Sequence, residues 1–262
     1  MKPTIDDVKA FWNRRPCNIR HSRAPVGTKE YFIEVEKRKY FVEPHIPGFA
    51  QFELWKGKKV LEVGCGIGTD TIRFARAGAQ VTAVDLSDES LEFCKQRVSI
   101  FGYDDRVRVL QANCEELSKV VKPEAYDLIY SFGVIHHTPD PARAIEELAK
   151  FAGPDTKLKL MLYAKYSIKS LQMLIGNVTC EAQSDVPVAY TYTKRGLHKL
   201  LAPHFKLTGA KKDHIFPWRI KDYIEYRYKK KLIWRMMPWP VFRALERMFG
   251  WHWLVDAKLV QL

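Results

Sequence analysis

The sequence predicts an α/β protein in which a doubly wound parallel sheet carries helices on both faces. From Lys59 to about Leu162, short apolar runs alternate with helical patterns. Strands that alternate with helices of this length are typical of βαβ units, whose crossovers are right-handed. A glycine-rich turn, VGCGIGTD at 63–70, follows the first strand directly. Because open α/β sheets bind ligands at the carboxyl ends of their strands, we expect the functional site there.

Five strands and the helices between them are predicted in this region. The strands are KVLEVG (59–64), QVTAVDLS (80–87), RVRVLQAN (106–113), YDLIYSFGVI (126–135) and KLKLMLYAK (157–165). The helices are TDTIRFARAG, DESLEFCKQRVSIFG, the short EELSKVV, and PARAIEELAKFA. We expect the first two helices to end at Gly78 and Gly102, because glycine readily takes the left-handed conformation that closes a helix.

The alternation changes after the fifth strand. SIKSLQMLIG and TKRGLHKLLAPH are predicted helices, and KLTGAKKDHIF (206–216) and GWHWLVDAKLV (250–260) are predicted strands. Between those two strands, residues 217–249 are aromatic, basic and partly helical in pattern. Residues 1–56 precede the first strand and are predicted to form an N-terminal helical cap. The sequence thus predicts one α/β domain at 57–262, with 217–249 inserted as a lid.

Composition and charge limit the classes of partner. The chain has 262 residues with 43 Lys and Arg against 30 Asp and Glu, so its surface favours anionic partners. Its apolar runs are shorter than the roughly 20 residues that cross a bilayer, and its first residues lack a signal-peptide core. The five cysteines are scattered and form no CxxC pair, so we expect reduced thiols and no metal. These features predict a cytoplasmic protein.

The glycine turn distinguishes between two kinds of nucleotide cofactor. A dinucleotide loop requires G-x-G-x-x-G, whereas here the third glycine, Gly68, comes one residue early. Glu62 lies two residues before the first glycine, and a negative group there disfavours a pyrophosphate and suits a sulfonium or an ammonium. Asp85 ends the second strand, where an acid can bind both hydroxyls of a ribose. S-adenosylmethionine therefore fits this pattern better than NAD.

Four stretches together resemble the class I S-adenosylmethionine-dependent methyltransferases, in particular the small-molecule, type 11-like group. They are LEVGCGIGTD (61–70), VDLSDESLEFCKQR (84–97), QANCEEL (111–117) and YDLIYSFGVIHHTPDP (126–141). The resemblance implies a Rossmann-like, seven-stranded sheet of order 3-2-1-4-5-7-6. The sixth and seventh strands would form an antiparallel hairpin that brackets residues 217–249. It also implies S-adenosylhomocysteine as the product, with no metal.

The resemblance implies a set of cofactor-binding residues. The glycine turn would lie against the methionine part of the cofactor, Asp85 would bind the ribose, and Leu86 would flank the adenine. The implied set is Glu62, Gly64, Cys65, Gly66, Gly68, Asp85, Leu86, Asn113, Cys114, Glu115, Ser131 and Phe132, with Tyr31 and Arg38 from the cap. Many relatives have Asp where Asn113 stands, and an amide can still form a hydrogen bond there. The alternative for the cap residues is that they only pack the cap.

Catalysis requires a base when the acceptor is a hydroxyl or an ammonium, because its proton must leave. His136 and His137 follow the fourth strand, and histidine suits this role near neutral pH. Neighbouring side chains point in different directions, so we expect only one to face the pocket. We favour His136, because His137 directly precedes the TPDP turn and can cap it; the alternative is that both histidines are structural. Asp140 belongs to that turn.

The acceptor is not identified by a motif. Candidate substrate contacts are Tyr40, Glu181, Gln183, Tyr190 and His214, although a purely structural role is the alternative for Tyr40 and His214. The segment 206–235 holds ten basic and three acidic residues, interleaved with Trp and Tyr. It could bind an anionic membrane, an anionic acceptor or RNA, or form a solvated face.

SFGVIHH follows the fourth strand where methyltransferases of base amines carry NPPY or DPPY. The sequence therefore favours a small-molecule acceptor over nucleic acid, such as an anionic, sugar or lipid-linked natural product methylated on oxygen or nitrogen. Carbon and sulfur acceptors are left open. The alternatives are an RNA- or protein-directed methyltransferase that uses the basic lid, and a non-catalytic protein that binds S-adenosylmethionine.

Overall fold

The computed structural model describes residues 2–176 and 185–260. Its central sheet has the order β3-β2-β1-β4-β5-β8-β7. The strands are β1 (Lys59–Val63), β2 (Gln80–Asp85), β3 (Val107–Gln111), β4 (Tyr126–Phe132), β5 (Ala152–Ala164), β6 (Thr191–Tyr192), β7 (Phe205–Asp213) and β8 (His252–Leu259). β8 is antiparallel to both of its neighbours, and the other pairs are parallel. The predicted Rossmann-like α/β class is confirmed.

One strand was not predicted. β6 has two residues and pairs with Tyr163 and Ala164 at the end of β5, beyond the last residue of β4. Because β6 takes the sixth number, the predicted sixth and seventh strands are β7 and β8 in the structure. The predicted order 3-2-1-4-5-7-6 is therefore the observed order of the main sheet. β5 also begins five residues earlier than predicted, across a register shift between Tyr126 and Leu128 of its neighbour.

Helices cover both faces of the sheet, and side-chain caps set where several of them begin. They are α4 (Thr69–Arg76), α5 (Asp88–Phe101), α6 (Pro141–Ala149), α7 (Ile168–Leu174) and α8 (Lys194–Leu201). The side chains of Ser87, Asp140 and Thr193 each accept a hydrogen bond from the backbone N–H three residues on. Each bond satisfies a donor that the first helical turn leaves unpaired. Gly102 ends α5 at φ 72°, as predicted.

The strands alternate their side chains between two buried cores. Val60 and Leu128 pack into the core on one face, whereas Leu61 and Ile129 pack into the core on the other. Burial on both faces explains why the central strands are continuous apolar runs in the sequence. It leaves the strand ends as the part of the sheet that a ligand can reach.

The N-terminal cap has three helices, α1 (Ile5–Arg14), α2 (Lys29–Val42) and α3 (His45–Ala50). Lys9 on α1 lies 2.8 Å from the Asp88 carboxylate at the start of α5. Arg97 on α5 donates to the Phe32 carbonyl of α2 at 2.9 Å. Both contacts dock the cap on α5. The domain boundary at residue 56 stays a prediction.

The segment between β7 and β8 folds as α9 (Ile220–Ile224), α10 (Leu232–Met236) and α11 (Trp239–Phe249). It contacts the N-terminal cap, because the Arg38 guanidinium donates to the Tyr223 carbonyl at 2.8 Å. Across the described ranges, no helix has the length and apolarity needed to cross a membrane.

Candidate active site

The glycine turn between β1 and α4 has three positive φ angles, 81° at Gly64, 53° at Gly66 and 75° at Gly68. A Cβ at Gly64 would lie 2.0 Å from Val134 Cγ2, and one at Gly68 would lie 2.8 Å from Cys94 Sγ. A Cβ at Gly66 would meet nothing within 4 Å. The outer glycines therefore permit tight packing, whereas Gly66 presents bare backbone to open space.

That space is a cavity at the carboxyl ends of β1, β2 and β4. Its walls are largely apolar, with Val63 and Val84 from the strands and Leu86 beyond β2. Helix α1 covers it with one face, which carries Ile5, Val8 and Trp12. An apolar pocket with a few polar groups is typical of a site for an organic ligand.

Asp85 is the acidic group of this cavity. Its Oδ2 accepts from the Gly66 N–H at 2.8 Å, and its Oδ1 accepts from the Ser87 N–H at 2.9 Å. Burial raises the pKa of Asp85 above its usual value. A carboxylate has about four acceptor positions, so it can accept further hydrogen bonds from a ligand while it holds the turn.

Several of the predicted cofactor residues line the cavity together. They are Gly64, Gly66, Asp85, Leu86, Asn113, Cys114 and Phe132. They come from the ends of β1, β2, β3 and β4, which the parallel order brings to one edge. The sequence motifs thus meet at one cavity, and cofactor binding by these residues stays a prediction.

Other members of the predicted set support the turn from behind. Buried Glu62 accepts from the Thr71 hydroxyl at 2.6 Å. Burial, and then the neighbouring Asp70 charge, raise the pKa of Glu62 to about 8. Glu62 and Gly68 are not among the residues that line the cavity. The expectation that Glu62 faces a cationic ligand is therefore corrected, because its carboxyl group holds α4 against β1.

Three more predicted contacts have structural partners instead. Cys65 is buried beneath the turn, and the buried Ser131 hydroxyl donates to the Val63 carbonyl at 2.9 Å. The Glu115 carboxylate accepts from the Asp140 N–H at 2.7 Å and so fixes the turn before α6. None of the three is among the residues of the cavity wall.

The cap residues predicted to touch cofactor or substrate pack the cap, which was the stated alternative. The Tyr31 hydroxyl donates to the Ile19 carbonyl at 2.7 Å, and the Tyr40 hydroxyl donates to Asp70 Oδ1 at 2.9 Å. Arg38 is buried against the lid, with its guanidinium carbon 3.9 Å from the centre of the Tyr226 ring. The two hydroxyls thus find their hydrogen-bond partners within the protein, whereas Arg38 Nε and Nη1 are buried without a hydrogen-bond partner among the described residues.

Sequence reasoning missed α1 as a cavity wall. Ile5, Val8 and Trp12 are spaced three and four residues apart, which is the signal of one helical face. It also missed Lys39, whose ammonium lies 2.8 Å from the same Asp70 oxygen that Tyr40 binds.

The two histidines have different environments. His137 lines the cavity, and its Nδ1 donates to the Val188 carbonyl at 2.6 Å. His136 is fully buried, with its ring centre 3.8 Å from that of Tyr163, and burial lowers its pKa well below the usual value. The pocket-facing member is therefore His137 rather than the favoured His136. Asp140 caps α6 through the Arg143 N–H, as expected.

The predicted substrate contacts are not all brought together. Tyr190 is exposed and its hydroxyl donates to the Pro139 carbonyl at 3.3 Å. Glu181 and Gln183 lie outside the described residues. His214 lies beside His45 and His252, and ligand atoms of the three rings are within 4.8 Å of one another.

Comparison with protein families gives one match that covers more than half of the chain. The family is described as "Methyltransferase domain", and its model matches residues 54–198. This range contains the glycine turn, the end of β2 and both neighbouring histidines.

Curated relatives match shorter stretches. The ubiquinone biosynthesis O-methyltransferase of Nitrosospira multiformis is 35% identical over 98 residues, which are 37% of this chain and 40% of that protein. An uncharacterized protein of Synechococcus is 30% identical over 132 residues, which are 48% of this chain and 31% of that protein. The chain thus spans less than half the length of these relatives.

Solved structures match nearly the whole fold. Magnesium protoporphyrin IX methyltransferase from Synechocystis, with bound SAH, is 17% identical at a TM-score of 0.61, covering 97% of this chain and 98% of that one. Geranyl diphosphate C-methyltransferase from Streptomyces coelicolor is 15% identical at a TM-score of 0.64, covering 99% of each chain. At such identities the likeness shows the fold.

Proposed function

Because the chain belongs to the methyltransferase-domain family that residues 54–198 match, we propose that it transfers a methyl group from S-adenosylmethionine to a small-molecule acceptor. The observation that carries the proposal is the cradle at Gly66. Its bare backbone faces the cavity, and its N–H is bonded to Asp85 at 2.8 Å. Two methyltransferases of this fold have been solved with S-adenosylhomocysteine bound.

The cavity residues fit this cofactor part by part. Asp85 would accept hydrogen bonds from the ribose hydroxyls, and Leu86 and Ala112 would provide apolar contact to the adenine. The Asn113 side chain accepts from the Glu115 N–H at 3.0 Å, which holds the adenine side of the cavity in place. The Gly66 backbone would lie against the methionine part, where a side chain would obstruct it.

Methyl transfer requires alignment, exclusion of water and removal of a proton. When bound, S-adenosylmethionine supplies a methyl group activated by a sulfonium. Trp12 and the rest of the α1 face would exclude water from the cavity. His137 would accept the proton of a hydroxyl or amine acceptor at Nε2, because its Nδ1 proton is directed to the Val188 carbonyl.

A radiometric screen tests the proposed activity. The purified chain would be incubated with S-adenosylmethionine labelled on the methyl group and with panels of phenols, sugars and amines. We expect label transfer to one acceptor class, with S-adenosylhomocysteine formed in equal amount. Cofactor binding without transfer to any acceptor would favour the non-catalytic alternative.

Substitution Asp85→Ala should weaken S-adenosylmethionine binding by about 100-fold. Loss of two hydrogen bonds to a charged group, at about 1.5 kcal/mol each, corresponds to that factor. Isothermal titration would measure it. Asp127→Ala is the matched control, because Asp127 also accepts a backbone N–H, that of Lys59 at 2.8 Å, but at the opposite edge of the sheet. Equal affinity of the two variants would exclude Asp85 from the site.

Substitutions Gly66→Ala and Gly57→Ala together should show whether cofactor binding at Gly66 is lost independently of folding stability. Gly57 is the control, since it also has a positive φ, 69°, and open space at its Cβ position. An alanine at either position should lower the free energy of unfolding by about 1–2 kcal/mol, because a residue with a Cβ is strained in the left-handed conformation. Only Gly66→Ala should weaken cofactor binding, by about tenfold or more, because its methyl group enters the cavity. Equal binding by both variants would contradict the cradle.

We also propose that the basic segment 206–235 contacts an anionic membrane surface. Leu232 and Ile233 on α10 are each 62% exposed, and Met236 is 75% exposed. Lys229 and Lys230 are exposed and lie three and two residues before Leu232. Exposed apolar residues beside cations are typical of segments that bind the surface of an anionic bilayer.

Co-sedimentation with vesicles tests this partner. We expect binding to phosphatidylglycerol vesicles, weakened by salt, and little binding to phosphatidylcholine. The double substitution L232S and I233S should reduce it, whereas Leu54→Ser, at a position 64% exposed outside the segment, should not. Equal vesicle binding by the double variant and by Leu54→Ser would exclude the segment 206–235 as the membrane-binding surface.

A further inference from the structure

Three histidines that are distant in sequence meet at one place. His45 begins α3, His214 follows β7, and His252 begins β8. A hydrogen bond of 3.0 Å joins His45 Nε2 to His252 Nδ1. The His214 ring lies 4.5 Å from that of His252 and 5.4 Å from that of His45, measured between ring centres. We refer to His45, His214 and His252 as the histidine cluster.

The histidine cluster lies at the same edge of the sheet as the cofactor cavity. β8 is antiparallel to β5, so its first residue, His252, pairs with Tyr163 near the carboxyl end of β5. Phe132, in the cavity wall, connects the two places. Its ring centre is 6.0 Å from that of His45 and 5.9 Å from that of His252.

The cluster is not explained by its own hydrogen bonds. In the part of the chain that the structure describes, His45 Nδ1 is buried with no hydrogen-bond partner. His214 has φ 71°, a left-handed conformation that is uncommon outside glycine and costs energy unless the site requires it. The cluster therefore keeps a buried polar nitrogen unpaired, which costs free energy unless a ligand binds it.

The charge beside the rings favours a bound cation. The Glu43 carboxylate lies 3.8 Å from His252 Nδ1 and adds a negative charge beside the cluster.

We propose that His45, His214 and His252 bind a divalent transition-metal ion such as Zn²⁺. Imidazole nitrogens suit Zn²⁺ and Co²⁺, and three histidine ligands with a fourth position for water or substrate are a known catalytic arrangement. His45 and His214 are partly exposed, which gives the ion a route of entry. The sequence offers no spacing signature, because the ligands lie 169 and 38 residues apart.

The position of the ion suggests its use, and this step rests on the proposed function. An acceptor hydroxyl bound at the fourth position would have a lower pKa and would lie on the Phe132 side of the cofactor cavity. Metal binding itself does not depend on methyl transfer, so the two proposals can fail separately.

Metal titration of the full chain, prepared free of metal and without a polyhistidine tag, tests the site. We expect one Zn²⁺ per chain by elemental analysis, and Co²⁺ should give the visible absorption of a tetrahedral nitrogen site. Both measurements are made without S-adenosylmethionine. Methyl transfer is then measured separately with and without the metal.

Two ligand substitutions and one control make the result specific. His214→Asn keeps a residue that tolerates positive φ, and His45→Gln changes a different element. At known metal sites, loss of a residue that only hydrogen-bonds to a ligand lowers metal affinity roughly 10–100-fold. Because each substitution here removes a ligand itself, it should weaken Co²⁺ binding by more than that. His198→Gln, at an exposed position on α8, should bind as the wild type does.

Thermal melting in the absence of metal would check that each variant folds, and either variant suffices for the test. Failure of the wild type to bind Zn²⁺ or Co²⁺ would overturn the proposal. Binding by a folded His45→Gln or His214→Asn variant with unchanged affinity and spectrum would also overturn it.

Discussion

Substitution His137→Gln is expected to lower kcat for a hydroxyl or amine acceptor by about 10²–10⁴-fold, the usual contribution of a general base. The Val188 carbonyl accepts the Nδ1 proton at 2.6 Å, which leaves the lone pair on Nε2. Glutamine can still donate to that carbonyl but cannot accept a proton. Affinity for S-adenosylmethionine should therefore change little, and the loss should fall on kcat.

The pH profile of kcat distinguishes a base from a residue that only packs the site. A general base acts only in its unprotonated form, so the wild type should lose activity at low pH, and the variant should lack that acidic limb. His198→Gln serves as the control on an exposed histidine. A variant that keeps both the wild-type kcat and its acidic limb would exclude His137 as the base.

Substitution Arg97→Ala should lower the free energy of unfolding by about 3–5 kcal/mol, the cost of breaking a buried charged network. Arg97 is fully buried and donates to the Thr69 hydroxyl at 2.7 Å and to the Phe32 carbonyl at 2.9 Å. Its guanidinium also lies 3.6 Å from the Glu36 carboxylate. Alanine would leave these acceptors buried beside a cavity and loosen α2 from α5.

Arg76→Ala is the matched comparison, because Arg76 binds the same Glu36 carboxylate at 2.9 Å while its side chain is 39% exposed. Its loss should cost less than about 1 kcal/mol, as for other exposed ion pairs. Urea unfolding would measure both variants. Equal destabilisation by the two substitutions would contradict the assignment of Arg97 as the residue that anchors the cap.

The sheet and the floor of the site were predictable because their signals are local. Each strand is an apolar run, and each neighbouring glycine or acid lies within a few residues of a strand end. Parallel order then brings Gly66, Asp85 and Asn113 to one edge without further information. The two-residue β6 has no such signal, because its pairing depends on where the end of β5 protrudes beyond β4.

The contacts of the cap residues and the histidine cluster were not predictable for the opposite reason. Tyr40 has the residue type of a substrate contact, but its partner is Asp70, thirty residues away on α4. The prediction that His136 faces the cavity was wrong. Which of the two neighbouring histidines faces the cavity depends on the Val188 carbonyl, which belongs to a distant segment and binds His137. His45, His214 and His252 likewise meet only through the tertiary fold.

Calorimetric titration of the wild-type chain with S-adenosylmethionine, S-adenosylhomocysteine and NADH tests the central claim most directly. We expect the first two to bind with one ligand per chain and NADH to give no binding heat, because the third glycine of the turn, Gly68, comes one residue too early for a pyrophosphate loop. Binding of NADH alone, or of none of the three, would contradict the assignment of this cavity to S-adenosylmethionine.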